Sequence, residues 1–222
     1  MCGRFYLDIS IDEILAQFDL AEAPDFTSHF NIVPSQAIPV VREVDTRRTM
    51  SMLRWGLVPR WSKKVDSGYS LHNARAETVA DKPAYRSAYK KRRCLIPASG
   101  FYEWKTEQGG KQPYCIRLAN NKPMAFAGLW EHWEGEDQTI ESCTIIVTTA
   151  NDIVRPVHDR MPVIIDPADY ALWMSSEQET EQAGSLLRAY PSEHMEVYPV
   201  SRKVNSPANN DSSCIAPVEV GP

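Results

Sequence analysis

The chain has 222 residues, 43% of them hydrophobic and 24% charged, and a formal net charge of −5. A compact fold of that length buries roughly 70% of its unfolded surface, so a full core needs no disulfide or metal staple. The acidic balance argues against a polyanion gripped over a whole face, and the lack of a run of 18 apolar residues or of a charged-then-apolar leader argues against membrane spanning and secretion.

The first element expected is a short amphipathic helix over 11–18. Ser10 and Glu13 form a capping box, and Ile11, Ile14, Leu15 and Phe18 follow at helical spacing. Residues 20–36 read as loop. Strands are expected at 37–44, 49–56, 94–98, 100–104, 113–118, 124–130, 142–149, 161–165 and 195–200, each short, rich in Val, Ile, Tyr and Trp, and bounded by Gly, Pro or Asn. Helices are expected at 82–90, at 167–174 behind Asp166 and Pro167, and at 177–189 behind a second capping box of Ser176 and Glu179. From about Asn205 the chain turns polar and reads as an irregular surface tail. Many short strands with few helices predict an α+β fold, a mostly antiparallel, barrel-like β-sheet with a few flanking helices. No linker divides the sequence, so 1–222 is taken as a single domain.

Five cysteines (Cys2, Cys94, Cys115, Cys143, Cys214) are an odd number without a C-x-x-C pair. They support neither a disulfide framework nor a zinc site, so no metal and no cofactor are expected, and a reducing cytoplasm fits best. Cys94, Cys115 and Cys143 lie in apolar runs and read as small buried hydrophobes.

Cys2 differs. Removal of Met1, the normal fate of a Met before so small a residue, puts an α-amine and a thiol on adjacent carbons. Their ordinary pKa values of about 7.7–8.0 and about 8.5 leave usable neutral amine and thiolate near pH 7. An aldehyde meeting this 1,2-aminothiol forms a Schiff base, and closure by sulfur gives a five-membered thiazolidine. The bland reading is an accident of the second codon. Glu103 stands between two aromatics in Gly100-Phe101-Tyr102-Glu103-Trp104. On an inner face, desolvation would suit it to acid–base work, whereas strand alternation slightly favours the outer face. His158, just before an apolar strand, reads either as structural or as a proton shuttle. Within His72-Asn73-Ala74-Arg75-Ala76-Glu77, Asn73 could hydrogen-bond a sugar and Arg75 a phosphate, or Arg75 and Glu77 could pair with each other. Trp61, beside Arg60 and Lys63-Lys64, is a stacking candidate, and Trp55 also fits a core. Lys90-Lys91-Arg92-Arg93, with Arg86 a turn upstream, reads equally as a solvated face or a basic patch.

Seven motifs occur in order: Cys2-Gly3-Arg4-Phe5, Phe30-Asn31-Ile32-Val33-Pro34, Arg54 to Pro59, Asn73 to Thr78, Arg92 to Pro97, Gly100 to Trp104 and His158 to Pro162. From residue 2 to about 211 this closely resembles the SOS-response-associated peptidase (SRAP) family, whose bacterial members are abasic-site processing proteins. The resemblance implies a thiazolidine cross-link to the ring-opened sugar of an abasic site in single-stranded DNA or at a single-to-double-strand junction. Catalysis would fall to Cys2 as double nucleophile, Glu103 as acid–base, His158 as proton shuttle and Asn73 as orienter of the sugar. Arg4, Arg75 and Arg86 would hold phosphates, forming a basic strip on an otherwise acidic surface, and Pro34 and Trp61 would wedge and stack bases. Thr148 joins the expected DNA contacts. An AP-lyase side activity, self-removal of Met1, a monomer and a cytoplasmic protein that joins the nucleoid on DNA are also implied. Two stretches depart from the family: Trp61-Ser62, where some relatives carry two tryptophans, and Asn209 to Ser213. The same residues fit two other readings, an N-terminal-nucleophile thiol peptidase or hydrolase and a noncatalytic single-strand binder.

Overall fold

The structure is a computed structural model that describes residues 2–45, 47–65, 71–175 and 180–219. The capping box forms as expected. Ser10 accepts from the Glu13 amide, the Glu13 carboxylate accepts in return from the Ser10 amide, and α1 runs over Ile11–Phe18 with Ile14 and Phe18 buried. Phe18 then stacks on Tyr170 with ring centroids 5.3 Å apart, which ties the end of this helix to the helical segment at Tyr170–Met174.

The alternating and apolar runs fold into two sheets. The larger contains β3 (Ala37–Val44), β4 (Arg47–Trp55), β6 (Arg93–Ala98), β9 (Met124–Glu134) and β10 (Thr139–Thr149). Order β10-β4-β3-β6-β9 closes on itself because β9 and β10 also pair, giving a five-stranded barrel. All its pairings are antiparallel except β10 with β4. Beyond residue 145 the two edges of β10 take up short additions: β5 (Asn73–Arg75) in parallel, and β11 (Arg160–Pro162) antiparallel. β12 (Ile164–Ile165) pairs with β9. Closure removes open edges, and the α+β, mostly antiparallel barrel expectation holds.

The second sheet has order β13-β8-β7-β1-β2, with β1 (Phe5–Leu7), β2 (His29–Ile32), β7 (Gly100–Glu107), β8 (Gly110–Leu118) and β13 (Met195–Pro199), all antiparallel. Phe5, Phe101 and Phe126 lie edge-to-face between this sheet and the barrel, and Phe5 also meets Trp55 at 5.1 Å. Each fully buried aromatic contributes roughly 1.5–3 kcal/mol. β1 approaches β7 closely because position 100 has no side chain: a Cβ there would lie 2.5 Å from the Tyr6 ring.

Several expectations are corrected. The supposed loop 20–36 contains β2, and β1 and β5 were not foreseen, each being too short to show a period. Helix 82–90 is α2 at Arg86–Lys91, preceded by turns. Helix 167–174 is a 3-10 turn followed by α3 at Tyr170–Met174. Of 177–189, α4 covers Thr180–Ser185, and the Ser176/Glu179 box lies outside the described residues. Strand 161–165 is interrupted at Val163.

From Asn205 the described tail is irregular and mostly exposed, and it is anchored to the body of the protein. Val204 and Cys214 are fully buried and close a second apolar cluster with Tyr6, Tyr102, Cys115 and Val200. Its anchor is Asn31, fully buried, whose amide donates to the carbonyls of Val204 (3.2 Å), Ser206 (2.9 Å) and Asn209 (2.7 Å). Side-chain amides hidden in the sequence among ordinary polar residues thus sew the tail down.

Candidate active site

The tail's second cluster covers the face of β7 opposite the barrel, so β7 is buried on both sides. Glu103, on the Phe101 face, is 3% exposed, which overturns the outer-face expectation from alternation. Burial pushes its carboxyl up to about 7, with Asp159 adding in the same direction. A group poised there both gives and takes protons at neutral pH.

His158 lies across from it, Nε2 being 3.9 Å from Glu103 Oε2. The Arg160 amide donates to His158 Nδ1 at 3.0 Å, which fixes the ring's orientation. Burial holds the imidazole below its ordinary pKa, while the exposed Asp159 carboxylate, 3.0 Å from Nδ1, works the other way.

Cys2 precedes β1 in the run that pairs with β7: Phe5 faces Phe101, and the Tyr102 amide donates to the Arg4 carbonyl. Pairing therefore draws the start of the chain along β7 toward Glu103. The Cys2 carbonyl accepts from Asn73 Nδ2 at 2.7 Å. Asn73 sits on β5 opposite Ile145, and its backbone carbonyl accepts from Tyr85 Oη at 3.0 Å, just before α2. Its Oδ1 is buried without a hydrogen-bond partner among the described residues. With Met1 still on the chain Cys2 is fully buried, and burial first, then the negative charge of Glu103, drive its thiol far above the ordinary value. Sulfur then attacks only if a base takes its proton. Asn73 is thus hydrogen-bonded to Cys2, Glu103 lies 3.9 Å from His158, and the Glu103 charge is felt at the Cys2 thiol, although the four residues are remote in sequence.

A cleft of about 500 Å³ opens on Glu103 and His158, lined also by Arg4, Trp104, Lys111 and Asn205. Arg4 is held rigidly: Nη1 donates to Asn31 Oδ1 (2.6 Å) and to the Val204 carbonyl (2.5 Å), and the guanidinium lies over Trp104 at 5.5 Å. Trp104 Nε1 donates to Asn205 Oδ1 at 2.7 Å, so the tail supplies one wall. Sequence reasoning missed Lys111, Trp104 and Asn205. The signal for Lys111 was the Gly109-Gly110 turn, which folds β8 back beside β7.

The expected DNA contacts fall into groups. Arg75 and Arg86 are exposed and flank the Asn73–Tyr85 link. Trp61 is 66% exposed, in a turn next to Ser62, whose carbonyl accepts from Trp133 Nε1. Pro34 is half-buried in the turn after β2, and Thr148 is buried on β10 opposite Met161. Glu77 pairs with Arg160, not with Arg75, as its hydrogen-bonded partner. The basic run splits: Arg92 pairs with Glu131, and Arg93, 2% exposed, donates to the carbonyls of Tyr89, Trp173 and Ser175, capping α2 and α3. Trp55 is core, and all five cysteines are buried and unbridged. Among the described residues no group of His, Cys, Asp and Glu could hold a metal, and no helix is long and apolar enough to cross a membrane.

A sequence profile of the SOS response associated peptidase (SRAP) family matches residues 1–207. The chain is 40% identical over 221 residues to the abasic site processing protein YoqW of Bacillus subtilis, covering 97% of this chain and 99% of that one. It is 34% identical over 203 residues to the abasic site processing protein HMCES of Gallus gallus, covering 79% of this chain and 60% of that one. A crystal structure of a protein from Bacteroides thetaiotaomicron superposes with a TM-score of 0.89 at 23% identity, covering 98% of this chain and all of the other, which supports the fold.

Proposed function

The chain belongs to the SRAP family, and from that premise we propose that it processes abasic sites in single-stranded DNA, including those at single-to-double-strand junctions, by joining them covalently to Cys2. The observation that carries the reading is the hydrogen bond from Asn73 to Cys2 together with the buried Glu103 facing His158 at an open cleft.

Removal of Met1 frees the Cys2 amine. The abasic deoxyribose opens to its aldehyde as the anomeric carbon's bond to the ring oxygen breaks, Glu103 giving a proton to that oxygen while the anomeric hydroxyl returns one to the Glu103 carboxylate. The amine adds to the aldehyde carbon, and the resulting hydroxyl leaves as water once protonated by Glu103, giving the Schiff base. The thiol then gives its proton to the Glu103 carboxylate while sulfur adds to the imine carbon. Nitrogen, Cα, Cβ, sulfur and the former aldehyde carbon close a thiazolidine, so aldehyde and aminothiol become adduct and one water. Because Glu103 titrates at about 7, it serves as acid in one step and base in the next. His158, neutral at pH 7, relays protons and favours the Schiff-base branch, from which reversal or AP-lyase strand cleavage follows. Asn73 fixes the Cys2 backbone and offers Oδ1 to the sugar. Arg75, Arg86 and Arg4 hold phosphates, Thr148 adds a hydroxyl at the β5–β10 junction, and Trp61 and Pro34 stack and wedge neighbouring bases. One chain carries every group named, so a monomer suffices. The family name admits peptidase chemistry on the same nucleophile, confined in this reading to removal of Met1.

The test mixes Met-processed protein with a single-stranded oligonucleotide holding one abasic site and resolves the product on a denaturing gel. A shifted band is expected, lost in Cys2→Ala, in Cys2→Ser and in protein with an N-terminal extension. An undiminished band from the extended protein would remove the α-amine from the mechanism, and robust peptide hydrolysis by Cys2→Ser would favour the hydrolase reading.

A further inference from the structure

Arg4 reaches the cleft with one end already engaged by Asn31 and Val204, which limits how far it can follow a moving strand. The same cleft is lined by a second cation. Lys111 projects from β8, opposite Thr106 across the β7–β8 hairpin, and is exposed. Unlike Lys105 on the same hairpin, whose Nζ is 3.4 Å from Glu107 Oε1, it has no acidic partner among the described residues. Its nearness to the reacting groups also shows in His158: burial is the main cause holding that ring below its ordinary pKa, and the Lys111 charge adds to it. Arg4 and Lys111 thus line the cleft against the single carboxyl of Glu103, so its lining carries more positive than negative groups on a chain of net charge −5. That balance fits an anion better than a neutral or cationic ligand.

We propose that Lys111 binds the backbone phosphate adjoining the abasic sugar, as the mobile member of a pair with the fixed Arg4. The assignment rests on the abasic-strand reading above and adds a phosphate-binding residue to it. A flexible ammonium can track a phosphate whose neighbouring sugar opens and re-forms, a task for which a guanidinium pinned by two hydrogen bonds is poorly suited.

The experiment separates this from the cross-link itself by removing the covalent step. In a Cys2→Ala background, affinity is measured for a fluorescent single-stranded oligonucleotide carrying a tetrahydrofuran abasic analogue, which has no aldehyde, over a series of salt concentrations. Lys111→Ala is expected to weaken binding roughly 3–10-fold near 0.1 M salt and to lower the slope of log affinity against log salt by about 0.7, one phosphate contact on a single strand. Lys111→Arg should restore both, and Lys105→Ala should leave the slope unchanged. An unaltered slope in Lys111→Ala, or an equal loss in Lys105→Ala, overturns the proposal. Meanwhile the aldehyde oligonucleotide with intact Cys2 reports the cross-link alone: no adduct there, with the Lys111 slope effect present, sinks the covalent reading and supports the phosphate contact.

Discussion

Glu103 is buried because both faces of its strand are covered, and the cost of ionising it there is a property of the fold as much as of the chemistry. Its pKa is raised from 4.5 to about 7, so between these values the folded state holds a proton that the unfolded state has lost. Stability therefore falls as pH rises through this window, and above it the fold carries a penalty of up to about 3 kcal/mol. Glu103→Gln should gain up to that amount at pH 8 and less than about 1 kcal/mol at pH 5, read from urea midpoints at the two pH values, while adduct formation drops sharply. Equal midpoint shifts at both pH values would mean that Glu103 is not buried as an acid. Cys2, Glu103 and His158 stood out in the sequence because they lie in motifs shared with a known family, whereas residue by residue the blander readings stayed open. Lys111 did not stand out, since an exposed lysine after a turn carries no mark until the hairpin folds it over the cleft. Arg93 misled in the opposite sense: a cation in a basic run proved to be a cap for backbone carbonyls.

At the scale of elements, the long strands were readable and the short ones were not. Eight residues of alternating or branched side chains declare β3, whereas β1, β2 and β5 owe their existence to neighbours already in place. Those three short strands carry or adjoin Cys2, Asn31 and Asn73, so the parts least visible in the sequence hold the site together. The tail follows the same rule. Its polar composition hid the fact that Asn31 supplies donors to three of its carbonyls and an acceptor to Arg4. Asn31→Ala leaves those groups unpaired and should cost about 2–4 kcal/mol. Trypsin should then cut faster at the exposed Arg202 and Lys203, and adduct formation should slow as Asn205 leaves the cleft wall. Unchanged protease resistance would show that the apolar contacts of Val204 and Cys214 alone hold the tail.

For the molecule as a whole, the net charge of −5 would set how the proposed DNA strand is engaged. Attraction confined to a few cations around one cleft gives weak, salt-sensitive capture, whereas a carbon–sulfur bond is indifferent to ionic strength. Binding to undamaged single strands should therefore fade between 50 and 200 mM salt, on the order of tenfold or more, while adduct already formed persists through high salt and denaturant. Filter binding and a gel run in parallel check both halves. Loss of adduct with added salt would point to a reversible complex. The position of β1 between β2 and β7 has a mechanical corollary. Most chain ends fray, but the end that would bear the DNA here is threaded between two antiparallel neighbours. A helicase or polymerase tugging on the joined strand would load β1 along its length, where its ladder bonds resist together rather than opening one by one. The lesion would be moored by the interior of a sheet, and freeing it by proteolysis would require first dismantling that sheet.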